Sequence, residues 1–235
     1  SFIKAVISGT VARETTSENR ARGYALFYMM VNIGAFTGKT VVDPLRKSLG
    51  DTGLVYLNFF AAAMTFLALI TVFFMYKSVK TEGQGKSFSE IGKGMLKVLK
   101  NTRLLILIII ISGFWMIQSQ LYATMPKYVI RMIGQDASPG WYANVNPLIV
   151  FVMVNFITSF MKKRTALTSM TIGMLIIPLS ALTMSFGTQI GKETILGLHP
   201  VAFMMIIGIA MQALAECFIS PRYLEYFSMQ SPKGE

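Results

Sequence analysis

Six apolar stretches, each long enough to cross a hydrocarbon layer roughly 30 Å thick, recur along the chain and constrain its fold more than any other feature. They cover residues 24–42, 54–76, 104–125, 145–161, 167–186 and 201–220. In lipid, backbone N–H and C=O groups must be paired within the segment, so runs of this kind are read as spanning helices. The first twelve residues, SFIKAVISGTVA, are apolar but too short to span, and they start as if inside a longer helix. The chain is therefore expected to be an all-α membrane protein with six full transmembrane helices and a partial one, an internal portion of something longer. No cleavable signal peptide is expected at this start. Composition agrees: with 53% hydrophobic and 14% charged residues among 235, there is more apolar surface than one soluble core can bury.

The basic residues orient these spans. If the opening stub runs from outside to inside, fifteen of the 22 Lys and Arg fall in inner segments, around 13–22, 77–103, 162–164 and 222–235. The outer loops hold Arg46, Lys47, Lys127, Arg131 and Lys192, and only Lys4 and Lys39 lie within apolar segments. The bias alternates loop by loop in the positive-inside sense, so span count and orientation support each other. The net charge of +11 is explained by the membrane, and no nucleic-acid partner is expected.

Several chemistries have nothing to stand on. One Cys and one His exclude a disulfide framework and a multi-ligand zinc or haem site built from these residues, so no cofactor or metal is expected. The GQGKS at 83–87 resembles a phosphate-binding loop, but Lys80 stands where its first glycine should be and no strand precedes it. No nucleophile elbow or paired carboxylates share a span, so an enzyme is not expected.

The chain divides at its one long polar stretch, 77–103, a cytoplasmic linker between residues 1–76 and 104–235. Its second half, SFSEIGKGMLKVLKNTR, opens with capping residues and spaces Phe88, Ile91, Met95, Leu96 and Leu99 at helical intervals. That pattern predicts an amphipathic helix lying on the inner leaflet. Gly34-x-x-x-Gly38 in the first full span allows close helix packing, and Pro147 and Pro178 inside spans predict kinks.

Polar groups inside spans mark candidate sites, because an ionisable side chain facing hydrocarbon is costly. Glu216, in MQALAECFIS, serves either a solute path or a cation elsewhere in the bundle. Lys4 either faces a cavity or snorkels to the interface, and Lys39, near an outer span end, is expected to snorkel. Asn32, Gln118, Gln120 and Asn146 add uncharged polar groups, whose alternative role is hydrogen bonding between helices. Trp115, Gln118 and Tyr122 fall at i, i+3 and i+7, a strip suited to a binding cavity.

Five stretches, in order, resemble the proton-coupled oligopeptide transporter family of the major facilitator superfamily. FYMMVNIGAF at 27–36 is similar to the family's FYxxINxGSL signature, and FIKAVIS at 2–8 to its fourth-helix F-x-K-P-N-V-S. FW…Q at 114–120 resembles FWxxFEQ of the seventh helix, VNPL at 145–148 matches the eighth, and ECFISP with the later SPK resembles the tenth. The resemblance implies a major facilitator helical bundle running from the end of helix four to just past helix ten. It implies that Lys4 helps bind a substrate carboxylate, that Tyr28 and Asn32 line the cavity, and that Asn146 and Glu216 receive the substrate amino terminus. Ala5, Val6, Ala35-Phe36 and Ser119 depart from the family pattern. The expectation is a secondary active transporter of small solutes in the inner (plasma) membrane, with proton-coupled symport of di- and tripeptides as its finer form; the alternatives are a major facilitator transporter of another organic anion or drug-like solute, and a non-transporting membrane receptor or scaffold. Its substrate-binding set is Lys4, Tyr28, Asn32, Trp115, Gln118, Asn146 and Glu216, with Glu216 as the proton-coupling group.

Overall fold

A computed structural model describes residues 2–75, 87–134, 137–191 and 194–230. Every regular element among them is helical apart from an isolated bridge between Ile195 and Leu198. In chain order the helices are α1 (Phe2–Arg13), α2 (Arg20–Thr40), α3 (Val42–Leu49), α4 (Asp51–Met75), α5 (Phe88–Lys100), α6 (Thr102–Ala123), α7 (Met125–Ile133), α8 (Pro139–Phe160), α9 (Ala166–Ser185) and α10 (Pro200–Gln230). Short 3-10 turns, Met161–Lys163 and Phe186–Thr188, finish α8 and α9. Among the described residues six helical stretches are long and apolar enough to cross a membrane, as expected from the hydropathy pattern.

The ends of these helices differ from the apolar runs because capping chemistry, not hydropathy, sets them. Helix α8 begins at Pro139, six residues before the apolar run at Val145, and residues 139–144 include Trp141, Tyr142 and Asn144. Its start is fixed from the first turn of α3: the Asp43 carboxylate accepts the Trp141 N–H at 3.1 Å. Gly140 lets the carboxylate come this close, since a Cβ there would lie 2.7 Å from Asp43 Oδ2 and push it aside. Helix α10 runs ten residues past Ser220, so Arg222 and Glu225 are inside it. The lone histidine, His199, accepts the Val201 N–H at 3.2 Å and starts that helix. Thr165 caps α9 by accepting the Thr168 N–H at 3.1 Å.

The chain forms two compact units. The first, Ser1–Asp43 with Gln120–Glu235, holds α1, α2 and α7 to α10. Helix α10 is its hub, packing on α9, α8, α2, α7 and α1, while α2 also packs along α8. Two glycines let α9 and α10 approach closely: a Cβ on Gly173 would lie 2.7 Å from the Ala215 carbonyl oxygen, and one on Gly208 would lie 2.9 Å from the Ser180 carbonyl oxygen. Gly34 and Gly38, expected to serve close packing, face open space instead. Beyond the end of α8, Arg222 pairs with Glu225 at 2.6 Å and donates to the carbonyls of Met161 and Arg164, satisfying the end of that helix.

The second unit, Pro44–Ser119, holds most of α3, then α4, α5 and the greater part of α6. Helix α4 is apolar all round and exposed over nearly its whole length, with Phe73 at 79% and Phe74 at 77% exposure. A helix of that kind needs lipid as its solvent. The expected amphipathic helix of the linker is α5, opened by a reciprocal cap in which Ser87 N–H donates to Glu90 Oε2 at 2.9 Å and Ser89 N–H to Ser87 Oγ at 3.4 Å. The linker's first half, 77–86, lies outside the described residues.

Candidate functional site

Three helices of the first unit bring polar side chains together in its apolar interior. On α10, Gln212, Glu216, Ser220 and Tyr223 follow one another at spacings of four, four and three, which places them on one helix face. Gln212, Glu216 and Ser220 are buried. On α2, Tyr28, Asn32, Ala35 and Lys39 occupy i, i+4, i+7 and i+11 and form the matching stripe. Helix α8 contributes Asn146.

Glu216 is the centre of this cluster. It is 5% exposed, and Asn146 Nδ2 donates to its Oε2 at 3.1 Å. Tyr28, itself 3% exposed, has its hydroxyl within hydrogen-bonding reach of the Glu216 carboxylate and Ser220. The charge of Glu216 also acts on Lys39 and Tyr122. A buried carboxylate with a fixed amide donor on one side and a phenol on another can hold a proton or an ammonium group with little rearrangement.

The helix breaks lie at this level. Pro147 follows Asn146 within α8, and Pro221 lies five residues past Glu216 within α10. Neither has an N–H, so the carbonyls of Ala143 and Cys217, one turn earlier, lose their intrahelical partner. Both helices therefore carry a weakened hydrogen-bond ladder beside the cluster, where bending is least costly.

Of the residues expected to form a site, Tyr28, Asn146 and Glu216 meet. Asn32 lies one turn further along the same face of α2, 6% exposed, and its Nδ2 donates to the Tyr28 carbonyl at 2.9 Å within its own helix. Lys4 is carried by α1, which packs on α2 and α10, but its side chain lies outside the described residues. Trp115 and Gln118 are on α6 in the second unit, where Trp115 meets Phe114 edge-on at 5.3 Å.

Lys39, expected to snorkel, has a defined partner in the structure. Its Nζ donates to the Tyr122 hydroxyl at 3.0 Å and sits 4.1 Å from the centre of the Tyr122 ring. The helix-face argument on α2 could have found it, since Lys39 shares a stripe with Tyr28. The roles of Tyr223, Ser220 and Asp43 carried less signal, because hydroxyls and a carboxylate near a helix end are common in any bundle. Asn144, missed for the same reason, ties α8 to α2 by donating to Thr40 Oγ1 at 2.9 Å and the Phe36 carbonyl at 3.3 Å.

Among the described residues no group of three or more His, Cys, Asp or Glu is placed to hold a metal ion. Comparison with curated proteins and with solved structures finds no match. The sequence model of the Major Facilitator Superfamily matches residues 1–227, nearly the whole chain. Six apolar helices, a polar cluster on three of them and that match together establish that the chain belongs to the Major Facilitator Superfamily of membrane transporters.

Proposed function

We propose that this chain belongs to a proton-coupled symporter for di- and tripeptides or closely related small solutes, working by alternating access. The observation that carries the reading is Glu216: a carboxylate buried within a span, held by Asn146 at 3.1 Å and faced by Tyr28. In this reading the substrate amino group and a proton use Glu216 in turn. Tyr28 and Asn32 line the path and Lys4 takes the substrate carboxylate, as the family resemblance implies, while Trp115 and Gln118 are substrate-binding candidates by their shared face on α6. Pro147 and Pro221 supply the bending of α8 and α10 as the site changes sides.

The same reading divides the protein at the 77–103 linker into two helical bundles, with α5 resting on the inner leaflet of the plasma (inner) membrane. The departures at Ala35-Phe36 and Ser119 favour, as the second reading, a facilitator for another organic anion.

The test is uptake of labelled dipeptide into proteoliposomes holding the full-length protein, driven by a pH gradient. Uptake that collapses with the gradient, is competed by peptides and not by organic anions, and is lost in Glu216→Gln is the expected result. Gradient-driven uptake that survives Glu216→Gln removes Glu216 from coupling, and competition by organic anions alone replaces the peptide by the second reading.

A further inference from the structure

Helix α5 carries a charge pattern that nothing already described uses. Lys93, Lys97 and Lys100 fall at i, i+4 and i+7 and so share one face, and Arg103 follows three residues on. Phe88, Ile91, Met95 and Leu99, at i, i+3, i+7 and i+11, share another. Glu90 is the acidic residue of α5, and its carboxylate is committed to the helix's own cap, where it accepts the Ser87 N–H at 2.9 Å. Lys93, Lys100 and Arg103 are exposed, and among the described residues none of them is paired with a carboxylate.

Among the described residues α5 packs along no other helix. Leu96 and Leu99 are 59% and 54% exposed, and a Cβ on Gly92 or Gly94 would meet open space. A helix of thirteen residues is marginal in water, and two interior glycines weaken it further, so α5 needs a surface that covers its apolar face. The path of the chain says which surface. Helix α5 ends at Lys100 and the span α6 begins at Thr102, with Asn101 between them accepting the Leu104 N–H at 3.3 Å. One residue spans at most about 3.6 Å, so the last turn of α5 stands where α6 enters the lipid, at the level of the headgroups. An interfacial helix is about 10–12 Å across and sits about 5–10 Å into that boundary, so lysines on its polar side stand among the phosphates.

We infer that α5 is a docking face for anionic phospholipid: Lys93, Lys97 and Lys100, with Arg103 at the entry of α6, hold the negatively charged headgroups of the inner leaflet while the apolar face enters the acyl boundary. The inference rests on the leaflet position proposed for α5, and on neither the substrate nor proton coupling. A basic residue close to an anionic leaflet strengthens binding about fivefold, so the lysine face, and not the short apolar one, decides how firmly α5 is held down.

The experiment uses full-length protein carrying a fluorophore at Leu99→Cys as its reactive thiol; Cys217, 1% exposed, takes little label. Nanodiscs of phosphatidylcholine are compared with discs in which part of it is replaced by phosphatidylglycerol, both holding the same fraction of brominated acyl chains as quencher. Quenching is expected to be at least about twofold stronger in the anionic discs. It falls to the neutral-disc level in about 1 M salt, where the screening length is about 3 Å. Joint replacement Lys93→Gln, Lys97→Gln and Lys100→Gln has the same effect, and arginine at the same positions preserves the quenching. Quenching that is equal in the two discs, or that survives the joint glutamine replacement, overturns the inference and leaves α5 on the leaflet by its apolar face alone. No quenching in either disc overturns it together with the leaflet position of α5, and turns the lysine face toward a soluble acidic partner.

Discussion

A carboxylate inside a span is held by its donors, so the residues around Glu216 matter for stability as well as for chemistry. Asn146→Ala takes away the amide that reaches Oε2 at 3.1 Å in a buried setting. The expected loss is about 1–3 kcal/mol of stability, the usual cost of leaving a buried polar group short of a partner. It is read as a lowered thermal midpoint of the purified full-length protein, and an unchanged midpoint would mean that other donors hold Glu216. Arg222 is the sharper case. It is 4% exposed, it pairs with Glu225, and it closes the carbonyl end of α8. Arg222→Met strands the Glu225 charge and should cost about 3–5 kcal/mol, whereas Arg222→Met with Glu225→Met should recover much of that. Equal losses in the single and double variants would show that the α8 carbonyls, not the ion pair, are what Arg222 serves.

At the scale of helices, close approach is governed by where glycine stands. Gly173→Ala puts a methyl 2.5 Å from Ile219 Cγ1 and 2.7 Å from a backbone oxygen, so α9 and α10 must separate. A loss of about 1–3 kcal/mol is expected, seen again in thermal unfolding. The existence and order of the spans were legible from apolar run length and from alternating charge, because those are what lipid and its interfaces select. The α5 helix was legible from its capping residues. What could not be read was tertiary: Gly34 and Gly38 carry the small-residue spacing but face open space, while Gly173 and Gly208 make the contact without it. The start of α8 was misplaced by six residues because its cap, Asp43, is 98 residues away from Trp141 in the chain. Within the site, Glu216 stood out because a charge is conspicuous in an apolar helix. Lys39 did not, because its place near a helix end suits snorkelling equally well until its partner Tyr122 is seen.

The whole molecule is ordered by the membrane, and its orientation can be tested within the first unit. Helix α9 is 20 residues long, about 30 Å, and so matches the hydrocarbon thickness. At one end lies the basic turn of Met161–Lys163 and Arg164, and at the other the tight turn of Leu196 and Gly197. Leu196 is 88% exposed, so a cysteine there gives up no buried contact and is open to reagent. The one cysteine of the chain, Cys217, is 1% exposed, so it gives little background to thiol labelling. With basic residues retained inside, Lys163→Cys should react with a membrane-impermeant maleimide only in inverted vesicles, and Leu196→Cys only on intact cells. Exchange of the two patterns would reverse the orientation and leave the spans intact. Labelling of both from one side would mean that α9 does not cross, and with it would fall the placement of α8 and α10, which the same two turns join to it.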